Sequence, residues 1–156
     1  MKTKKILFVC SAGGHLAQIL ELEEIRLKYD YLIVTEKVGS TIPLSKHYRI
    51  RFLKPTSKSK NLTFWVNLFQ NILISLWIIL KYSPTFKKTT GSHTAVPICL
   101  IGKLIGSKII WILSYARINS KSKSASLIYP ISDKFLVQWE TVQKLYPKSI
   151  YKGGLY

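Results

Sequence analysis

Ile6 to Cys10 is an unbroken run of five apolar residues, and Ser11-Ala12-Gly13-Gly14 ends it abruptly. A strand that is apolar at every position must be covered on both faces. That is the situation of a parallel sheet between two helix layers, whereas a half-exposed strand alternates. The run therefore predicts a buried strand over Lys4–Cys10. It is shorter than the roughly 7–15 apolar residues of a signal-peptide core, so a leader is not expected and a cytoplasmic protein is.

The following segments continue in the same sense. His15–Lys28 predicts a helix whose mainly apolar stripe is Leu16, Ile19, Leu20, Glu23 and Leu27. Tyr31–Thr35 and His47–Leu53 predict the second and third strands. Later come a weak strand over Phe86–Thr90, carrying two lysines, and a helix over Ala95–Ile105 stopped by Gly106. Lys108–Leu113 predicts a further strand, Asn119–Ser126 a Ser/Lys loop and Leu127–Ser132 a short helix. Lys134–Gln138 and Ser149–Tyr151 predict strands on either side of a helix over Glu140–Tyr146. Strands alternating with helices predict a single α/β domain over residues 1–156, a Rossmann-like doubly wound parallel sheet.

Asn61–Leu80 is the unusual segment. Fourteen of its twenty residues are apolar, yet Thr63, Asn67, Gln70, Asn71 and Ser75 recur at helical spacing. Its length suits a membrane span, but lipid would surround the amide stripe at a cost. A helix packed on the sheet is compatible with the pattern, with or without a face touching lipid headgroups. All three readings stand at this point.

Charge narrows the partners. The chain carries 24 Lys+Arg against 7 Asp+Glu, a formal charge of +17. Such a field attracts nucleic acid, anionic lipid or phosphorylated substrates. The chain has no RNP-like strand, helix-turn-helix signature or zinc spacing, so nucleic acid is not expected and an anionic membrane surface is. Cys10 and Cys99 lie far apart in apolar runs and read as buried thiols.

Three segments carry possible chemistry, and each leaves a predicted strand at one edge of the sheet. Ser11-Ala12-Gly13-Gly14-His15 supplies glycines that let the backbone approach a ligand. It is not the G-x-G-x-x-G dinucleotide fingerprint, and an ordinary tight turn is its plain alternative. Thr90-Gly91-Ser92-His93-Thr94 adds a second histidine. Two histidines are too few for a metal site, so no metal is expected. Ser114-Tyr115-Ala116-Arg117 adds a guanidinium suited to a phosphate or carboxylate, or one that is simply solvated. Lys121 and Lys123 follow in the polar loop.

In these segments the sequence resembles the PssD-type bacterial polysaccharide biosynthesis subunits. These are in turn similar to the membrane-recruiting subunit of the eukaryotic transferase that adds the second N-acetylglucosamine to dolichol diphosphate. The resemblance is carried by SAGGHLAQ at Ser11–Gln18, TTGSHTAVP at Thr89–Pro97, SYARI at Ser114–Ile118, YPISDKFLVQW at Tyr129–Trp139 and YPKSIYKGG at Tyr146–Gly154. Capsule-locus subunits that enhance a β-1,4-galactosyltransferase partner look most alike.

The resemblance implies the N-terminal, acceptor-side half of a GT-B glycosyltransferase, with the donor half on a separate chain. On that reading no cofactor is bound here, and the UDP-sugar sits on the partner. The acceptor is a lipid-diphosphate-linked saccharide in capsular or extracellular polysaccharide synthesis. The chain lies peripherally on the cytoplasmic face of the plasma membrane. By comparison with the peptidoglycan enzyme MurG, Gly13, Gly14 and His15 would hold the diphosphate. His15 would be the candidate catalytic residue, near the reacting hydroxyl. Gly91, Ser92, His93 and Thr94 would line the acceptor cleft, with Arg117 as a further anion ligand. Family members commonly read Glu-Ser-x-Ala-Arg where this chain has Leu113-Ser114-Tyr115-Ala116-Arg117, so the family's Glu position is occupied by Leu113. That departure raises the alternative of a catalytically silent scaffold that anchors the partner.

Overall fold

The computed structural model describes residues 4–56, 62–84, 86–89 and 93–154, without the side chains of residues 87 and 88. The elements run β1 (Lys5–Val9), α1 (Gly14–Leu20), α2 (Glu23–Lys28), β2 (Asp30–Glu36), β3 (Ile50–Leu53), α3 (Leu62–Tyr82), β4 (Phe86–Thr89), α4 (Ala95–Leu104), β5 (Lys108–Ile112), α5 (Lys123–Ile128), β6 (Lys134–Val137), α6 (Glu140–Gln143) and β7 (Ile150–Tyr151). The strands form one sheet in the order β3-β2-β1-β4-β5-β6-β7, and every neighbouring pair is parallel. The order reverses between β1 and β4. In open α/β sheets that reversal opens a crevice at the carboxyl ends of the strands.

The unbroken apolar run of β1 has its explanation in two cores. Leu7 and Val9 point to one face, among Val34, Leu53, Ile78, Ile98 and Ile128. Ile6, Phe8 and Cys10 point to the other, among Leu16, Ile19, Leu22 and Ile33. Helices α3 to α6 cover the first face, and α1 and α2 the second. Both cysteines are free and buried, as their apolar settings suggested. Burial pushes the Cys10 thiol up to about 12, with the neighbouring Thr35 hydroxyl opposing the shift and the Glu36 carboxylate adding to it.

Several local expectations need correction. The helix over His15–Lys28 is two helices, broken at Leu22 (φ −80°, ψ 43°). The break turns Leu22 inward and leaves Leu27 79% exposed. Arg26 occupies the inward position instead, donating to the Leu20 carbonyl at 2.8 Å and lying 5.0 Å from the Tyr48 ring centroid. The carbonyl freed where α1 ends thus gains a cationic partner. The strand expected from His47 begins at Ile50, after a 3-10 turn over Pro43–Lys46. The loop expected over residues 119–126 turns helical at Lys123, because Ala125 and Ile128, three apart, reach the core. The helix expected over 127–132 is instead the end of α5 followed by a 3-10 turn at Tyr129–Ile131. Of the weak strand, β4 covers Phe86–Thr89 and Thr90 lies outside the described residues.

Helix α3 turns part of its polar stripe inward beside Ile78 and Ile79. Asn71 and Ser75 are buried, and Asn71 exchanges two hydrogen bonds with the backbone of Lys54, at 2.7 Å and 2.9 Å. Asn67 donates to the Pro55 carbonyl at 3.0 Å. The amides therefore satisfy the chain leaving the edge strand β3, which has no strand beyond it among the described residues. Gln70 and Thr63, the remaining members of the stripe, are exposed.

Gly106 ends α4 with φ +78°, a left-handed conformation that glycine adopts without a Cβ penalty. Across the sheet edge opposite the crevice, Asp133 joins α4 to the strands. Its Oδ2 accepts from the Ile109 N–H at 2.8 Å and from Lys103 Nζ at 3.0 Å. Partial burial opposes ionisation there, but the Ile109 N–H and the Lys103 ammonium outweigh it and hold the carboxyl below the usual carboxylate range. A carboxylate with a depressed folded value contributes stability above its unfolded value and loses it as pH falls through the folded one. Acid denaturation followed by circular dichroism should therefore lose this contribution below about pH 4 in the native chain. Asp133→Asn should be less stable at neutral pH and show a flatter acid limb.

Candidate functional site

The crevice at the reversal point is bordered by chain leaving β1, β4 and β5, which are adjacent and parallel. The three segments singled out in the sequence thus leave one edge of the sheet. Gly13 has φ +80° and accepts the N–H groups of Leu16 and Ala17 at 3.0 Å and 3.1 Å, so it opens α1 in a conformation suited to glycine. His15 sits half-buried in the first turn of α1 and Gly14 begins it. Gly91 and Ser92 lie outside the described residues. His93 is exposed, and Thr94 is buried at the start of α4.

Arg117 lies in a turn closed by its own N–H to the Ser114 carbonyl at 2.9 Å, and its guanidinium donates to Ser120 Oγ at 3.2 Å. Tertiary contacts hold this loop towards β6. Trp139 Nε1 donates to the Tyr115 carbonyl at 2.7 Å, their rings lie 4.8 Å apart, and Thr141 Oγ1 donates to the Ile118 carbonyl. The guanidinium of Arg117 therefore bonds within its own loop and not to either histidine.

The closest polar cluster at the edge includes two residues the sequence reading did not single out. Glu36, the last residue of β2, is 8% exposed and is the acidic side chain in the core among the described residues. Its Oε1 accepts from Thr56 Oγ1 at 3.1 Å and from the Thr56 N–H at 3.3 Å. Thr56 Oγ1 is in turn 3.0 Å from His93 Nε2, and Glu36 Oε1 is 3.9 Å from the same nitrogen. The backbone of Glu36 is held as well, because Thr41 Oγ1 donates to its carbonyl at 2.7 Å. The contact joins the β2–β3 side of the reversal point to the β4 side. A signal for Glu36 was present: it directly follows the apolar run Leu32-Ile33-Val34 and Thr35, at the same edge as the Gly-Gly-His turn.

A cavity of about 300 Å³ opens beside this cluster between α3, α4 and α5. His93, Thr56 and Lys123 contribute its polar wall, and Phe64, Leu68 and Leu127 its apolar one. Among the described residues no group of three or more His, Cys, Asp and Glu is placed to hold a metal ion.

Leu113 is 1% exposed and packs in the larger core, while its N–H donates to the Leu136 carbonyl at 2.8 Å and its carbonyl accepts from Gln138 at 2.9 Å. The side chain faces helices, not the crevice. A carboxylate there would be desolvated without a partner. Leu113→Glu is expected to lower stability by about 3 kcal/mol in urea denaturation and to give no gain in activity.

Comparison with known proteins agrees with this architecture. Residues 6–155 match the family described as "Oligosaccharide biosynthesis protein Alg14 like". The UDP-N-acetylglucosamine transferase subunit alg14 of Schizosaccharomyces pombe is 30% identical over 173 residues, covering 96% of this chain and 82% of that one. The corresponding subunit of Rattus norvegicus is 27% identical over 180 residues, with 96% and 82% covered. Among solved structures, MurG of Acinetobacter baumannii superposes with a TM-score of 0.72 at 10% identity, over 88% of this chain and 42% of that one. A UDP-N-acetylglucosamine 2-epimerase of Rickettsia bellii gives 0.74 at 11% identity, over 98% and 45%. The chain thus spans less than half the length of these structures and has the Rossmann-like fold of one half of a GT-B protein. The chain belongs to the Alg14-like family of oligosaccharide biosynthesis proteins.

Proposed function

We propose that this chain is the acceptor-binding, membrane-recruiting subunit of a two-chain glycosyltransferase. The partner chain would bind a UDP-sugar and supply the donor side of the crevice. The acceptor would be a lipid-diphosphate-linked saccharide, and the setting capsular or extracellular polysaccharide synthesis at the cytoplasmic face of the plasma membrane. The relatives named as transferase subunits and the half-length GT-B fold support a two-chain enzyme.

The observation that carries the membrane part is the outward face of α3. The helix has 21 residues, and an 18-residue stretch of it has a mean hydropathy of 1.6, yet only 22% of that stretch is buried. Trp65, Phe69 and Trp77 are each more than half exposed, alongside Leu62, Leu73 and Leu80. At about 200 Å² per ring, the three aromatic side chains alone expose roughly 300 Å². With their aliphatic neighbours they exceed the largest apolar patch of an ordinary monomer. Leu100 and Leu104 of α4 add to the exposed apolar surface.

The fringe of this face is cationic. Lys81 Nζ lies 4.7 Å from the Trp77 ring centroid, and a groove beside it is lined by Arg49, Arg51 and Lys81. Apolar residues ringed by lysine and arginine, with tryptophan between them, fit the interface of an anionic bilayer. Because Asn67 and Asn71 tie α3 to the chain after β3, the helix would lie along the surface and not cross it. The cavity at His93 begins beside Phe64 and Leu68 of the same helix. A lipid-linked acceptor entering there would bring its phosphates to Lys123 and its saccharide towards His93.

Sedimentation with vesicles containing anionic lipid is the direct test. The chain should bind, binding should weaken at high salt, and Phe69→Glu with Leu73→Glu should reduce it roughly 100-fold, from about 1.5 kcal/mol per apolar side chain withdrawn. Unchanged binding in that double variant, or self-association through α3 without vesicle binding, would refute the assignment.

The second reading, a scaffold without a part in chemistry, rests on Leu113 standing at the family's Glu position. Transfer from a UDP-sugar to a lipid-linked acceptor should need both chains. In the discriminating assay the donor-binding partner is tethered to nickel-chelating vesicles by a histidine tag. Equal turnover with and without this chain would establish a scaffold; a loss of at least tenfold without it would establish acceptor binding.

A further inference from the structure

We infer that Glu36, Thr56 and His93 form a proton relay in which His93 takes the proton of the acceptor hydroxyl and Glu36 acts through Thr56 as a positioning residue. The inference rests on the proposed acceptor-side role and assigns the base to His93, where the resemblance had pointed to His15.

Donor and acceptor chemistry fixes the direction of the relay. An ionised carboxylate only accepts, so the Thr56 hydroxyl donates to Glu36 Oε1, at 3.1 Å. The hydroxyl oxygen is then left to accept from His93 Nε2–H, at 3.0 Å. Neutral His93 is thereby held as the Nε2–H tautomer, with the lone pair on Nδ1. The orienting carboxylate is buried and the imidazole exposed, with side-chain exposures of 11% and 57%. A base held by a third, buried group is the arrangement that activates hydroxyl nucleophiles in unrelated enzymes. Once protonated, the ring is 3.9 Å from Glu36 Oε1 and gains an ion pair.

The site lies at the reversal point of the sheet, where ligands of open α/β sheets bind. Among the described residues, Glu36 from β2, Cys10 buried at the end of β1, and Lys123 from α5 on the shared cavity wall lie around it. A lysine there suits the acceptor's phosphates and does not replace the base.

The step balances as an inverting displacement. The acceptor hydroxyl gives its proton to His93 Nδ1 while its oxygen bonds to the anomeric carbon of the partner-bound nucleoside-diphosphate sugar. The bond from that carbon to the diphosphate breaks, and its electron pair leaves with the nucleoside diphosphate. His93 then returns the proton to water.

Two measurements separate this relay from the reading beneath it. Nitrogen-15 spectra of the imidazoles, on the chain without a partner, should show His93 as the Nε2–H tautomer when neutral. Thr56→Ser should keep that tautomer and Thr56→Val should mix the two. An Nδ1–H tautomer in the native chain, or no change in Thr56→Val, overturns the relay whatever the partner does. In the reconstituted pair, His93→Gln should lower kcat about 100-fold with KM within twofold. Glu36→Gln should lower kcat about tenfold with KM within twofold, and Thr56→Ser should retain most of the native kcat. Transfer by the native pair with unchanged kcat in His93→Gln and Glu36→Gln rejects the relay and leaves the two-chain reading intact. No transfer by the native pair rejects the two-chain reading instead.

Discussion

Two hydrogen bonds between the Asn71 side chain and the backbone of Lys54 set the rotation of α3, and the rotation of α3 sets what the molecule shows to its surroundings. An amide matches a backbone amide donor for acceptor, so Asn71 completes the edge of the sheet much as another strand would. Asn67 extends the match to Pro55. With Asn67 and Asn71 turned to this edge, Trp65, Phe69, Leu73 and Trp77 face outward while Ile78 and Ile79 reach the core. The helix is thus an adhesive surface and a packing element at once. The inward face of α3 thus mixes Asn71 and Ser75 with Ile78 and Ile79, because the edge strand offers polar groups to satisfy beside the core.

The same edge shapes the crevice. Chain leaving β3 passes Asn71 and Asn67 and arrives at Thr56, which meets Glu36 and His93. The segment that anchors α3 therefore also carries the hydroxyl that links the buried carboxylate to the exposed imidazole. The exposed apolar face of α3 and the polar cluster are joined by a few residues, and the cavity between α3, α4 and α5 lies between them.

Much of the fold was legible in the sequence. The apolar run of β1, the Gly-Gly-His turn and the β5 run announced a parallel sheet covered on both sides, and the order of segments placed three loops at one edge. The expectations that failed were local. A helix drawn through Leu22 took Leu27 for a core residue, because periodicity does not show a one-turn break that Arg26 stabilises by bonding the carbonyl freed at its start. Lys123 opened a helix where composition suggested a loop, because two small or apolar residues three apart outweighed the serines around them once the core was in place. The stripe on α3 was seen as polar, but its direction was not, since its partner is the backbone of a distant residue and carries no side-chain signal.

The sequence by itself determined the α/β class, the single sheet, the edge from which the glycine and histidine loops leave, and the cationic character that selects anionic partners. These follow from periodicity, turn chemistry and charge, which are local or additive properties of the chain. Tertiary structure decided three things: that Leu113 faces the core, that Glu36 and His93 meet through Thr56, and that α3 turns its apolar side to solvent. Each depends on groups brought together from different strands, and long-range juxtaposition is fixed by the packing of the whole sheet and not by any segment of it.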